Sequence, residues 1–99
     1  MVNNIDKVKS YIGFAIKSRK IKFGVDDILK LKTADLILVS DSLAESGLKK
    51  IKVFALNKSI TMRMLGEDQF NELIENTSIK VAAILDINLA EAIKKNLAN

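Results

Sequence analysis

Ninety-nine residues, 48 % apolar and 28 % charged, suffice for one folded domain with its own core and are too few for two. The chain has no Cys and no His, which excludes disulfides, thiol or imidazole catalysis, and thiolate or imidazole metal sites. The net charge of +4 is uneven: residues 1–34 hold eight Lys/Arg against three Asp, and residues 35–99 hold eight against nine acids, so the excess sits in the first third, as expected of a polyanion-binding face.

Ile5, Val8, Ile12 and Ala15/Ile16 recur at helical spacing, which predicts an amphipathic helix over Asn4–Ser18 capped by Asn3 or Asn4. Gly13 inside it is read as a point of close backbone packing, because a mid-helix Gly costs about 1 kcal/mol against Ala. Ile21 and Phe23 alternate with Lys20 and Lys22, a short strand ended by Gly24. Asp26–Leu31 reads as a short helix with two carboxylates at its positive end, followed by a turn at Thr33-Ala34-Asp35. Leu36–Val39 is apolar at every position, as in a strand covered on both faces.

Ser42-Leu43-Ala44-Glu45 has the spacing of a capping box and predicts a helix to about Lys50. Lys52–Leu56 reads as the next strand, and Ser59–Leu65 as a helical stretch closed by Gly66. Glu67–Glu75 is expected to be helical with Phe70, Leu73 and Ile74 as its apolar side. Val81–Leu85 is a second fully apolar strand, paired beside Leu36–Val39. Asn88 caps a last helix striped by Leu89, Ile93 and Leu97. The alternation predicts an α/β fold: a three-layer α/β/α sandwich with a mixed, mostly parallel four-stranded sheet, spanning residues 1–99 as a single domain. Met1–Ser10 lacks the apolar run of a secretory leader, and no stretch approaches the roughly 18 apolar residues of a membrane span. The expectation is a cytoplasmic monomer that engages no membrane.

The four Gly are isolated, so no phosphate-cradling Gly-rich loop exists, and Ser40 has no His partner. Asp26, Asp27 and Asp41 are the candidate carboxylates for a small metal-dependent enzyme. As structural residues they are instead caps, or, for Asp26 and Lys30, an i, i+4 pair. The segment Lys17-Ser18-Arg19-Lys20-Ile21-Lys22-Phe23-Gly24 packs four cations into six positions and flows into the next helix, with Lys30 and Lys32 extending the positive surface. Phosphate oxygens are what such a face attracts.

Phe14–Lys20, followed by Ile21–Lys30, resembles the kink-turn RNA-binding family of ribosomal L-seven-Ae proteins and their short bacterial homologues. Ala34–Asp41 is similar to the family's "A-x-L-V-x-x-A-x-D" strand, and Met64-Leu65-Gly66 to its "x-L-G" helix end. The resemblance implies a sandwich that grips a kink-turn in RNA. It carries the family's Asn-Glu pair and following Lys, which read tandem G·A pairs and the backbone, onto Asp26, Asp27 and Lys30. Lys30 agrees and Asp27 keeps its charge. Asp26 puts an acceptor-only carboxylate where an amide would donate. Against the family, Asp41–Val53 reads as short, with a trimmed third helix. Gly66–Val81 reads as long and brings Glu67, Asp68, Glu72 and Glu75 toward the RNA.

The reading is a non-catalytic, ribosome-associated RNA-binding protein that needs no cofactor and no metal. Its RNA-binding residues are Lys17, Arg19, Lys20, Lys22, Gly24, Asp26, Asp27, Lys30 and Lys32, and its partner is structured, ribosomal RNA. The alternative is a protein-interaction module on the same fold with a degenerate RNA site and a partner surface at residues 67–75.

Overall fold

Two apolar strand segments lie at the centre of the molecule and determine its layers. In a computed structural model describing residues 4–97, β2 (Leu36–Ser40) and β4 (Val81–Ile84) are buried at every position. The remaining elements are α1 (Ile5–Lys17), β1 (Ile21–Phe23), α2 (Val25–Leu29), α3 (Glu45–Lys58), β3 (Met62–Leu65), α4 (Glu67–Ile74) and α5 (Ile87–Asn96). The sheet order is β1-β4-β2-β3. On one face, Leu36, Leu38, Ala82 and Ile84 pack with α1, α4 and α5. On the other, Ile37, Val39, Val81 and Ala83 pack with α2 and α3. Both faces of the central strands are therefore dry, which is why neither shows a polar alternation.

The three-layer sandwich and the mixed sheet are as expected, but the balance of directions is not. Of the three neighbouring pairs only β2–β3 is parallel; β4 runs antiparallel to both β1 and β2, so β1, β2 and β3 share one direction. The fourteen residues of α3 rise about 21 Å at 1.5 Å each and return the chain to the start of the sheet. After α4 the chain re-enters the sheet at the end at which β3 leaves, so β4 runs the other way.

The third helix and third strand differ most from expectation. Lys52–Leu56 is not a strand but the second half of α3, whose buried residues Ile51, Phe54 and Ala55 follow helical spacing. Residues 62–65 are strand, not helix, and Gly66 is the N-cap of α4 rather than a helix end. The third helix, expected to end near Lys50, continues to Lys58. Its capping box does not form, since the helix begins at Glu45 behind Ala44. Ser42 instead bonds Ser40, hydroxyl to hydroxyl at 2.7 Å, which satisfies a polar side chain buried in the core. Asn4 caps α1 as expected, accepting from the Lys7 N–H. The cap of α5 is Asp86, not Asn88, and it accepts from the Leu89 N–H at 3.0 Å. A Cβ on Gly13 would meet nothing within 4 Å, so no close packing explains that glycine.

Candidate nucleic-acid interface

The basic segment begins where α1 stops. Lys17 is the last helical residue, Ser18 the C-cap, and Arg19 takes a left-handed conformation with φ of 59°. The Arg19 N–H donates to the Ile16 carbonyl and the Lys20 N–H to the Ala15 carbonyl. These two bonds define a Schellman motif, whose left-handed position usually holds Gly. The Lys20 carbonyl then accepts from the Leu85 N–H at 2.7 Å and fixes the start of β1. Lys17, Arg19 and Lys20 are exposed. All three also complement the negative end of the helix dipole.

β1 is an edge strand. Lys22 stands opposite Ala83, a residue of the α2–α3 core, and so points to that side of the sheet, exposed. A lysine here also blunts strand-on-strand association. The Gly24 N–H donates to the Val81 carbonyl, and Gly24 has φ of 88°, which requires a residue without a Cβ penalty. Asp26 and Asp27 follow, exposed, in the first turn of α2. The chain returns through Lys30 and Lys32 to Asp35, whose N–H donates to the Ile84 carbonyl, on the level of Ile21 in the sheet.

β1 thus separates the expected site residues into two groups. Lys17, Arg19 and Lys20 lie at its start. Gly24, Asp26 and Asp27 lie at its end, Lys22 stands between, and Lys30 and Lys32 lie on the return. Among the described residues, none of these six cations forms an ion pair, and Asp26 does not pair with Lys30. Asp26 is not a cap either: the N-cap of α2 is Gly24, with no side-chain bond. No three carboxylates gather among the described residues, so Asp41 does not join Asp26 and Asp27 in a cation site.

The α4–β4 segment closes against the Gly24 turn. A cleft of about 300 Å³ there is lined by Phe23, Gly24, Val25, Leu43, Ser78, Ile79, Lys80 and Val81. The acids of the long segment do not line it. Glu67 pairs with Lys80 at 3.2 Å and Glu75 with Lys9 at 2.8 Å. The hydrogen bond that Lys9 donates to Glu75, and then the Glu75 charge, raise the Lys9 ammonium above its ordinary pKa of 10.5. The apolar side of α4, namely Phe70, Leu73 and Ile74, is buried in the molecule's own core, so residues 67–75 offer no apolar surface to a partner.

A larger groove, about 460 Å³, lies between α2 and α3 and is lined by Leu29, Lys49, Lys50, Val53, Phe54 and Asn57. Sequence reasoning missed it because it read Lys52–Leu56 as a strand. The signal was the helical spacing of Ile51, Phe54 and Ala55. No helix of the described residues is long and apolar enough to cross a membrane.

The architecture is that of an α/β/α sandwich whose last strand inserts between the first and second. It is shared by a protein of unknown function from Bacillus halodurans, with a TM-score of 0.77 and 16 % identity over 90 % of this chain and 94 % of that one. It is also shared by the Giardia lamblia 15.5kD RNA binding protein, with a TM-score of 0.62 and 19 % identity over 93 % of this chain and 82 % of that one. At such identities the likeness is one of fold. No protein-family model and no curated protein sequence matches the chain.

Proposed function

We propose that the protein is a non-catalytic RNA-binding protein of the kink-turn-binding kind, which holds structured RNA against the end of α1 and the β1 edge. The observation that carries this reading is the run Lys17, Arg19, Lys20 and Lys22: four exposed cations with no carboxylate partner among the described residues, on a fold also adopted by an RNA-binding protein. Unpaired cations release counterions from phosphates on binding, whereas cations already paired contribute less. The cleft at Gly24 is the place for the kink itself, with Lys30 on the backbone and Asp27 and Asp26 toward the bases. Ribosomal RNA is the source this reading favours.

The test is a salt titration of a labelled kink-turn RNA against the full chain. Four phosphate contacts give a log–log slope of roughly −3 to −4, and a duplex of equal length binds more weakly. A slope near zero, or no binding at low salt, sinks the reading.

A further inference from the structure

The chain has four Phe, one Tyr and no Trp, and only one of these rings is open to solvent. Phe54 and Phe70 are buried in the two cores, while Tyr11 and Phe23 pack against one of them. Phe14 is 60 % exposed. Helix α1 buries Val8, Ile12 and Ala15, and Phe14 lies off that stripe, so folding does not account for an aromatic there.

Phe14 shares its end of the molecule with the basic run. It precedes Lys17 by three residues, the spacing of neighbours on a helix surface. Its carbonyl accepts from the Ser18 N–H and hydroxyl, in the turn that carries Arg19 and Lys20. Helix α5 runs antiparallel to α1, since the Asn4 N–H donates to the Asn96 carbonyl. The start of α5 therefore comes to the same end and brings Ile87, 55 % exposed. The adjoining carboxylate, Asp86, is held in its cap bond to Leu89. The result is a flat apolar ring at the same end as three cations without carboxylate partners among the described residues.

A partner must satisfy both features at once, with anionic groups for the cations and a planar apolar face for the ring. Single-stranded nucleic acid does so along its whole length, because bases stack on aromatic rings while phosphates meet Lys and Arg. We propose that Phe14 is a stacking platform for an unpaired base that flanks the structured part of the bound RNA, with Lys17, Arg19 and Lys20 holding the adjacent phosphates. This rests on the RNA-binding reading and narrows its substrate to structured RNA with a single-stranded extension. Arg19 fits the same role. It occupies a left-handed position that Gly fills without strain, and its guanidinium is planar and able to stack.

The test uses the full chain and two kink-turn RNAs, one blunt and one with a four-uridine tail. Because the protein lacks Trp, Phe14→Trp introduces a single indole, whose fluorescence is expected to quench with the tailed RNA and not with the blunt one. Phe14→Ala is expected to weaken binding of the tailed RNA about five- to a hundredfold and to leave the blunt RNA within twofold. Phe14→Leu should match Phe14→Ala, because it keeps the apolar bulk and loses the ring. Thermal midpoints of the three variants confirm that each is folded. If Phe14→Ala or Phe14→Leu binds the tailed RNA as tightly as the parent, the stacking role is overturned while RNA binding stands, and the patch belongs to a protein partner. If the parent binds neither RNA, the functional reading itself fails.

Discussion

The end of α1 with β1, and helix α4 with its flanks, are two strongly charged surfaces that the fold treats differently. Around α4, Glu67 and Glu75 pair with Lys80 and Lys9 from other parts of the chain, while Asp68 and Glu72 form no ion pair among the described residues. Along Lys17, Arg19, Lys20 and Lys22 no carboxylate approaches among the described residues. A residue count sees only an acidic and a basic region. The fold shows which charges already have an internal partner and which remain for an external one. A binding face draws on charges of the second kind.

The largest effect should come from stripping the unpaired group. Replacing Arg19, Lys20 and Lys22 together by Ala removes three phosphate contacts, so RNA affinity should fall roughly a hundredfold at 0.1 M salt and the salt slope flatten by about 2 to 3. Replacing Lys9 and Lys94, which pair with Glu75 and Glu91, should change affinity much less. Equal losses in the triple and the double variant, measured by filter binding, would break the distinction.

Asp26 and Asp27 are the exceptions inside the basic region, exposed and unpaired among the described residues, and for Asp26 neither the capping nor the Lys30 role is available. Under the kink-turn reading, Asp26→Asn supplies N–H donors to guanine edges and deletes a repulsive charge. Affinity for a kink-turn RNA should rise roughly 5- to 150-fold, since each base contact is worth about 1–3 kcal/mol. A flat titration would mean that Asp26 does not face bases.

Arg19 sharpens the comparison by setting stability against binding. Arg19→Gly relieves the left-handed strain, and the fold should gain about 1 kcal/mol, a rise of roughly 4–8 °C in Tm. The same change should weaken RNA binding several-fold. A lower Tm in a thermal melt would show that the Arg19 side chain supports the fold instead.

The smallest effect belongs to the paired surface. The Lys9 pKa is raised in the folded state, so whatever stability the contact adds is present below the ordinary value of 10.5 and is lost as pH rises through the raised value. The urea midpoints of the parent and Lys9→Met should therefore converge in strongly alkaline buffer. A gap that persists there would assign the effect to the lysine stem rather than its charge.

The sequence revealed most where burial was one-sided or complete. The continuous apolar runs of β2 and β4, and the Phe70, Leu73 and Ile74 stripe of α4, reported their environments directly. Helix α3 was obscured because Val53 and Leu56 are apolar yet exposed and fill the gaps in the helical period until it reads as a strand. β3, partly exposed at the sheet edge, lacks both alternation and a full apolar run. Strand direction was hidden because it depends on the end of the sheet at which each connection re-enters, which is set by pairing between distant parts of the chain. At the site, the cations were legible from their spacing. Their freedom from carboxylates was not, because Lys9–Glu75 and Lys80–Glu67 are contacts between distant parts of the chain.

The position of β4 between β1 and β2 imposes an order on biosynthesis. β1 emerges from the ribosome about sixty residues before the strand that will be its ladder partner, a long loop to close before that pairing is rewarded. Until Val81–Leu85 arrives, the Gly24 N–H and the Lys20 carbonyl lack the acceptor and donor that fix the two ends of β1. A nascent or prematurely terminated chain therefore carries every cation of the basic run without the geometry to aim them. On the proposed RNA-binding function, competence to bind arrives late, together with the completed sheet.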